Sequence, residues 1–153
     1  MSNKKTYEIV TDVISILNNY LNDPYVIAGG TARNWVHRDT PLGQATYPRI
    51  QVVKGSKEND IISLGYSKKR TLLLNIFFYT RKGFKVVIDG TSYTNENLVE
   101  YCLEEIEDTL DTYRDSISST WGLKVSTSNE PIYIPDENNY IGMLTVRIFY
   151  FRI

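Results

Sequence analysis

The sequence predicts an α+β domain: a mainly antiparallel sheet with two amphipathic helices packed on one face. Three observations predict it. Segments 6–21 and 95–118 carry apolar residues at three- and four-residue steps, the period of a helix with one buried side. Residues 68–81 hold the longest apolar strand of the chain, and 142–152 alternates with the same two-residue period. The strands fall in runs, with the two helices segregated from them. At 153 residues the chain fills one good core and is too short for two ordinary domains, so a single domain over 1–153 is expected.

The first helix rests on Ile9, Val10, Val13, Ile14, Leu17 and Leu21, and Asp23-Pro24 supplies its stop. From 25 to 46 the chain contains Gly29-Gly30, Pro41 and Gly43 and has little periodicity, which predicts a long loop, extended or mobile. A strand follows at 47–54, then a turn over the polar run 55–60. In the strand 68–81, Leu72, Leu74, Ile76 and Phe78 form an unbroken apolar face. The opposite face, Thr71, Leu73, Asn75, Phe77 and Tyr79, is mixed, so one side packs on a core and the other is partly covered or meets a partner. Arg81-Lys82-Gly83 reads as a hairpin turn into a strand at 84–88.

Thr94 suits the N-cap of the second helix, and Glu96 in its first turn complements the helix dipole. Leu98, Cys102, Ile106, Leu110, Tyr113 and Ile117 form its apolar stripe. The closing strands are expected at 123–126, 132–134 and 142–152, where Leu144, Val146 and Ile148 alternate with Thr145, Arg147 and Phe149.

Bulk properties narrow the function classes. A net charge of −1 gives no argument for nucleic-acid or membrane binding. One cysteine, Cys102, excludes a disulfide within the chain and a thiolate zinc cluster, and its place on the apolar stripe suits a small buried hydrophobe. The first five residues lead into an amphipathic helix rather than a signal-peptide core, and no apolar run approaches the ~20 residues of a membrane span, so a reducing cytoplasm is the expected setting. The 12 tyrosines suit an interface, although β-rich folds also collect them.

Candidate chemistry is sparse. Gly29-Gly30-Thr31-Ala32-Arg33-Asn34 invites comparison with the Gly-Gly turn of nucleotidyltransferases, which holds a nucleotide phosphate near paired metal-binding carboxylates. Asp39 is the single acid between Asn34 and Glu58 and no Asp-x-Asp pair occurs, so two-metal phosphoryl transfer lacks its ligands. The lysine of a P-loop and the third glycine of a dinucleotide fold are also missing. His37, the only histidine, stands in a loop His-Arg-Asp with no nucleophile in view. No catalytic residue, metal ligand or cofactor is assigned, and the chain is not expected to be an enzyme.

Charge is segregated along the chain. From Arg49 to Lys85 there are nine bases against Glu58 and Asp60, while from Glu96 to Asp115 there are eight carboxylates against Arg114. A solvated helix face accounts for such an acidic run. A chain split into a basic hairpin and an acidic helix also suits head-to-tail contact between identical copies, which closes into a ring when the rotation allows. This is a hypothesis, and its sequence candidates are Arg33, Trp35, Arg38, Tyr47, Arg49, Lys68, Lys69, Arg70, Glu104, Asp108 and Asp111. A basic surface facing DNA or an acidic partner is the runner-up, without a helix-turn-helix, zinc finger or interleaved aromatic platform to support it. Trp121 is expected in the core, whereas Trp35 suits a core anchor or an interface hot spot equally.

The order of elements, with Tyr47-Pro48-Arg49-Ile50, the 69–79 strand leaving through Thr80-Arg81, and the acidic helix at 95–118, resembles the tail terminator and tail-completion proteins of tailed viruses and proviruses. The resemblance implies a virion protein, assembled in the host cytoplasm, that forms a homo-oligomeric ring, commonly a hexamer, at the head-proximal end of the tail. Such a ring stops polymerisation of the tail tube protein, offers a docking face to neck or head-completion proteins, and lets DNA pass through its lumen without base reading. A head-closure or other neck connector is the neighbouring alternative. Segment 25–46, rich in Gly, Arg and Trp, departs from the family pattern. A small nucleotide-binding enzyme using Gly29-Gly30 with Arg33, His37 and Asp39 is the alternative from another class.

Overall fold

The fold is that of a computed structural model describing residues 6–39, 47–61, 68–117, 120–128 and 130–152. It is the expected α+β arrangement. One sheet has strand order β1-β2-β3-β8-β6, with β7 pairing β8 beside β6, and a separate hairpin is formed by β4 and β5. The strands are β1 (Val36–Arg38), β2 (Arg49–Ile61), β3 (Lys68–Arg81), β4 (Lys85–Ile88), β5 (Thr91–Thr94), β6 (Thr120–Ser128), β7 (Ile132–Ile134) and β8 (Asn139–Arg152). The helices are α1 (Thr6–Tyr20), the single turn α2 (Pro24–Ile27) and α3 (Asn95–Thr112). All pairings are antiparallel except β1 with β2. No helix among the described residues is long and apolar enough to cross a membrane.

The core lies between the sheet and the two long helices. Leu72, Leu74, Ile76 and Phe78 of β3 are fully buried, and register sets them beside Ile148, Val146, Leu144 and Gly142 of β8. Over this face lie Ile9, Val13, Ile16 and Leu17 of α1 and Leu98, Val99, Cys102, Leu103, Ile106 and Leu110 of α3. Gly142 is the point of closest approach between α3 and the sheet, because a Cβ there would stand 2.7 Å from Leu103 Cδ1 and closer still to Val99 Cγ1. α3 stops at Thr112, six residues short of expectation, and a 3-10 turn at Arg114–Ser116 continues it so that Ile117 still reaches the core.

The loop expected over 25–46 is partly structured, and residues 40–46 lie outside the described set. Asp23-Pro24, read as a stop, also starts α2: Asp23 accepts from the Tyr25 N–H at 2.9 Å, with Pro24 at the first helical position. Gly29, at φ +106°, turns the chain out of that helix. β1 then joins the sheet, with Ile50 N–H donating to the Trp35 carbonyl at 2.8 Å and Asp39 N–H to the Val52 carbonyl at 2.9 Å. Trp35 and Val36 are buried as a result. Three residues are too few to display a period, which is why the strand is invisible in sequence.

The turn expected at 55–60 is instead strand. β2 stays paired with β3 from Lys57 to Ile61, across a bulge between Lys54 and Lys57. Gly55 lies in that bulge, where a Cβ would sit 3.1 Å from the Leu73 carbonyl oxygen. Beyond Val52, β2 has no described neighbour on its outer side, and an edge strand favours charged residues such as Lys54, Lys57 and Glu58.

The strand expected at 84–88 does not fold back on β3. It pairs with β5 through Asp89-Gly90, both at positive φ (50° and 82°), the type of two-residue link that matches strand twist. Thr94 occupies the N-cap backbone position, but its hydroxyl donates to the Phe84 carbonyl at 2.7 Å rather than capping α3. β6 and β8 are both longer than expected, and β7 is as expected.

Candidate functional site

The second face of the sheet decides where a site can form. Among the described residues α1 and α3 cover one face only. On the other, Leu73, Phe77 and Tyr79 of β3 and Ile141 and Met143 of β8 are half-exposed, while Gln51 and Asn139 are buried. Asn75 and Thr145 face each other across the strands, the Thr145 hydroxyl donating to Asn75 Oδ1 at 3.0 Å. Ile141 is flanked by Ile132 of β7, which is 62% exposed.

At one end of this face the antiparallel register builds a ladder of alternating rings and cations. Arg49 stands opposite Tyr79 in the β2–β3 register, and Tyr47, just ahead of β2, lies against Arg81. The Arg49 guanidinium lies 4.6 Å from the Tyr47 ring centre and 5.0 Å from that of Tyr79, and the Arg81 guanidinium lies 4.9 Å from Tyr47. Each cation over a ring contributes about 0.5–2 kcal/mol, more as water is excluded. Among the described residues no carboxylate lies within ion-pair distance of Arg49 or Arg81, and Arg49 Nε is buried without an acceptor. Burial raises the Tyr79 phenol above its usual pKa; Arg49 opposes that, and Glu137 and Tyr47 add to it, so Tyr79 stays neutral.

The remaining basic candidates have other roles. Arg33 is turned inward: its Nε donates to Asp23 Oδ2 at 2.9 Å, its Nη2 to Asp23 Oδ1 at 3.1 Å and to the Pro48 carbonyl, and its guanidinium lies 4.6 Å from the Tyr25 ring. Side-chain exposures of 12% and 7% make Arg33–Asp23 a buried clamp between α2 and the start of β2. Trp35 is 3% exposed, so it is a core anchor and not a surface hot spot. Arg38 is exposed and ties β1 to α1, donating to the Tyr7 carbonyl at 3.2 Å and to the Thr11 hydroxyl. The side chains of Lys68, Lys69, Arg70 and Trp121 lie outside the described set.

The acidic candidates Glu104, Asp108 and Asp111 are exposed on α3, beside Glu100 and Glu107. Glu96, Glu100, Glu104 and Asp108 follow one another at four-residue steps, and so do Glu107 and Asp111. Like charges at this spacing destabilise a helix by about 0.2–0.5 kcal/mol per pair. The ion pair found on this side, Arg114–Asp111 at 3.6 Å, is exposed on both partners and relieves little. A shallow groove of about 190 Å³ runs along it, lined by Glu100, Glu104, Glu107 and Glu130 over Leu103, Pro131 and Leu144.

The Gly29-Gly30 alternative has less to work with. The Tyr25 ring fills the space beside Gly30, and Arg33 is committed to Asp23 and Pro48. His37 is held below its usual pKa, first by burial and then by Arg49 and Arg33, which leaves a neutral imidazole. No group of three or more His, Cys, Asp or Glu that could hold a metal ion occurs among the described residues. A larger cleft, about 430 Å³, lies elsewhere, between the end of α1, α2, β4 and α3, and Trp35, Tyr101 and Glu105 line it. Cys102 also lines it, its thiol pKa pushed up chiefly by burial and further by Glu105 and Asp23.

Sequence reasoning missed Tyr79 and Arg81. Their signal is present as the repeated Tyr-x-Arg of 47–49 and 79–81, a two-residue step that puts ring and cation on one face of a strand. Comparison with known proteins finds no family model that matches the chain and no curated protein that matches it.

Proposed function

We propose that the chain is the ring-forming subunit of a virus-tail terminator, ending growth of the tail tube and offering a docking surface to head or neck proteins. The observation that carries this reading is that, among the described residues, helices cover the sheet on one side only, with Leu73, Phe77, Tyr79, Ile141 and Met143 half-exposed on the other. An isolated subunit leaves that apolar area in water, and packing against further copies removes it. Charge segregation supports the same reading: the ladder and the acidic side of α3 belong to opposite faces of the sheet. A contact between unlike surfaces is heterologous, and identical heterologous contacts generate rings where the rotation closes.

The test is light scattering on the full chain, alone and with a tail tube protein from the same genome, combined with electron microscopy of the tubes. The expected result is a closed oligomer, free or formed on the tube end, and tubes that stop growing where it binds. Single-chain mass at every concentration with tube growth unaffected would overturn the reading.

A further inference from the structure

We propose that the Arg81–Tyr47–Arg49–Tyr79 ladder is the docking surface for the acidic side of α3 from a second copy of this chain, an interface that rests on the ring reading above. The ladder is unusual in its charge balance. Two guanidiniums sit on tyrosine faces, and no carboxylate among the described residues neutralises either one. Stacking occupies the faces of a guanidinium and leaves its N–H edges as planar donors; with Arg49 Nε buried, the terminal Nη pair is the edge left to take a carboxylate.

The spacing fits the occupant. Both guanidiniums lie within 5 Å of the Tyr47 ring centre, at 4.6 and 4.9 Å, so they are less than about 10 Å apart. Carboxylates four residues apart on a helix are separated by about 6 Å along the axis, which lets Glu104 and Asp108 address the two cations together. The groove beside them has a floor of Leu103, Leu144 and Pro131, so it also offers apolar contact to a side chain with an aliphatic stem. The two surfaces are complementary: neither guanidinium of the ladder has an ion-pair partner among the described residues, and the α3 side carries like charges at helical spacing with the exposed Arg114 against them.

Topology makes the contact head-to-tail. Arg49 and Tyr79 project from the face opposite Ile50 and Phe78, whereas α3 packs on the face that holds Ile50 and Phe78. A copy docked through its ladder therefore presents its own α3 away from the contact, ready for the next. Nucleic acid fits the molecule less well, because Glu137 stands near Tyr79 and the chain as a whole carries −1.

A charge swap tests the interface in the full chain, read by light scattering with and without tube protein and by anisotropy of a labelled oligonucleotide. Arg49→Glu with Arg81→Glu, and separately Glu104→Lys with Asp108→Lys, are expected to reduce the oligomer to the 17.7 kDa single chain. Combining all four changes is expected to restore it. Arg81→Glu alone, at an exposed position, covers the case in which the Arg49 change unfolds the chain, and it is expected to weaken assembly and increase its salt sensitivity. Normal oligomers from both double variants would overturn the interface and leave the ring reading standing. Loss without restoration by the swap, or oligonucleotide binding that disappears with the ladder, would overturn it in favour of another partner. A wild-type chain that stays monomeric with tube protein would overturn both.

Discussion

Gly142→Ala is the sharpest test of how α3 is held on the sheet. The added Cβ would stand 2.7 Å from Leu103 Cδ1 and nearer to Val99 Cγ1, both buried on α3. Carbon atoms at rest lie about 3.5–4.0 Å apart, so roughly an ångström of retreat is required. Val99 is β-branched and has essentially one rotamer in a helix, so it cannot swing aside. The helix cannot lift freely either, because Cys102, Ile106 and Leu110 anchor the same stripe. Overpacking of this kind costs about 1–3 kcal/mol, and the lower backbone entropy of alanine in a strand returns about 0.5–1 kcal/mol. A net loss of about 1–2 kcal/mol corresponds to a fall in Tm of about 2–8 °C for a chain of this size. Val99→Ala removes the clashing methyl and costs about 1.6 kcal/mol or more by itself. The double variant should nevertheless be more stable than the sum of the singles by about 1 kcal/mol. Urea denaturation with an unchanged m value measures all four corners. A Gly142→Ala chain as stable as the wild type, or a cycle additive within about 0.5 kcal/mol, would refute the packing argument.

Two further expectations follow from buried charge. Asp23→Ala strips α2 of its cap and removes the carboxylate that balances the buried Arg33 cation, so a loss of about 3–5 kcal/mol is expected in chemical denaturation, with Asp23→Asn retaining the cap and losing less. A change below about 1 kcal/mol would mean that the clamp does not hold α2 to β2. For His37 the folded pKa lies below the ordinary 6.5, so between the two values the unfolded chain binds more protons. Its contribution is therefore present above 6.5 and is lost as pH falls toward the lowered folded value. The urea midpoint of the wild type should decline over that window, and His37→Gln should flatten the decline; an identical slope in the variant would contradict the placement of His37 beside Arg49 and Arg33.

Much of the fold can be read from sequence where elements are long and half-buried. α1, α3, β3 and β8 each repeat their apolar positions enough times to reveal both period and buried face. The short elements fail for the converse reason. β1 has three residues and α2 four, and β2 continues through Lys54–Ile61 on backbone pairing rather than apolar content. The β4–β5 hairpin had a legible mark in Asp89-Gly90, which assignment of 84–88 to the main sheet obscured. Among the site candidates, Tyr47, Arg49 and the acids of α3 were visible as residue types, whereas Arg33 reads as a surface residue in a glycine-rich segment and Trp35 as core or interface equally, and both are held inside.

Sequence by itself determined the class of fold, the two helices with their buried stripes, the fully apolar face of β3 and the split between a basic middle and an acidic helix. These are local properties, written in periodicity and composition over adjacent residues. Only the tertiary structure decided that Tyr47, Arg49, Tyr79 and Arg81 form one ladder, and that α3 carries its carboxylates on the opposite side of the sheet. Those facts depend on strand register and on which face each helix covers. A shift of one residue in the β2–β3 pairing would send every side chain of one strand to the other face, so no local pattern contains them.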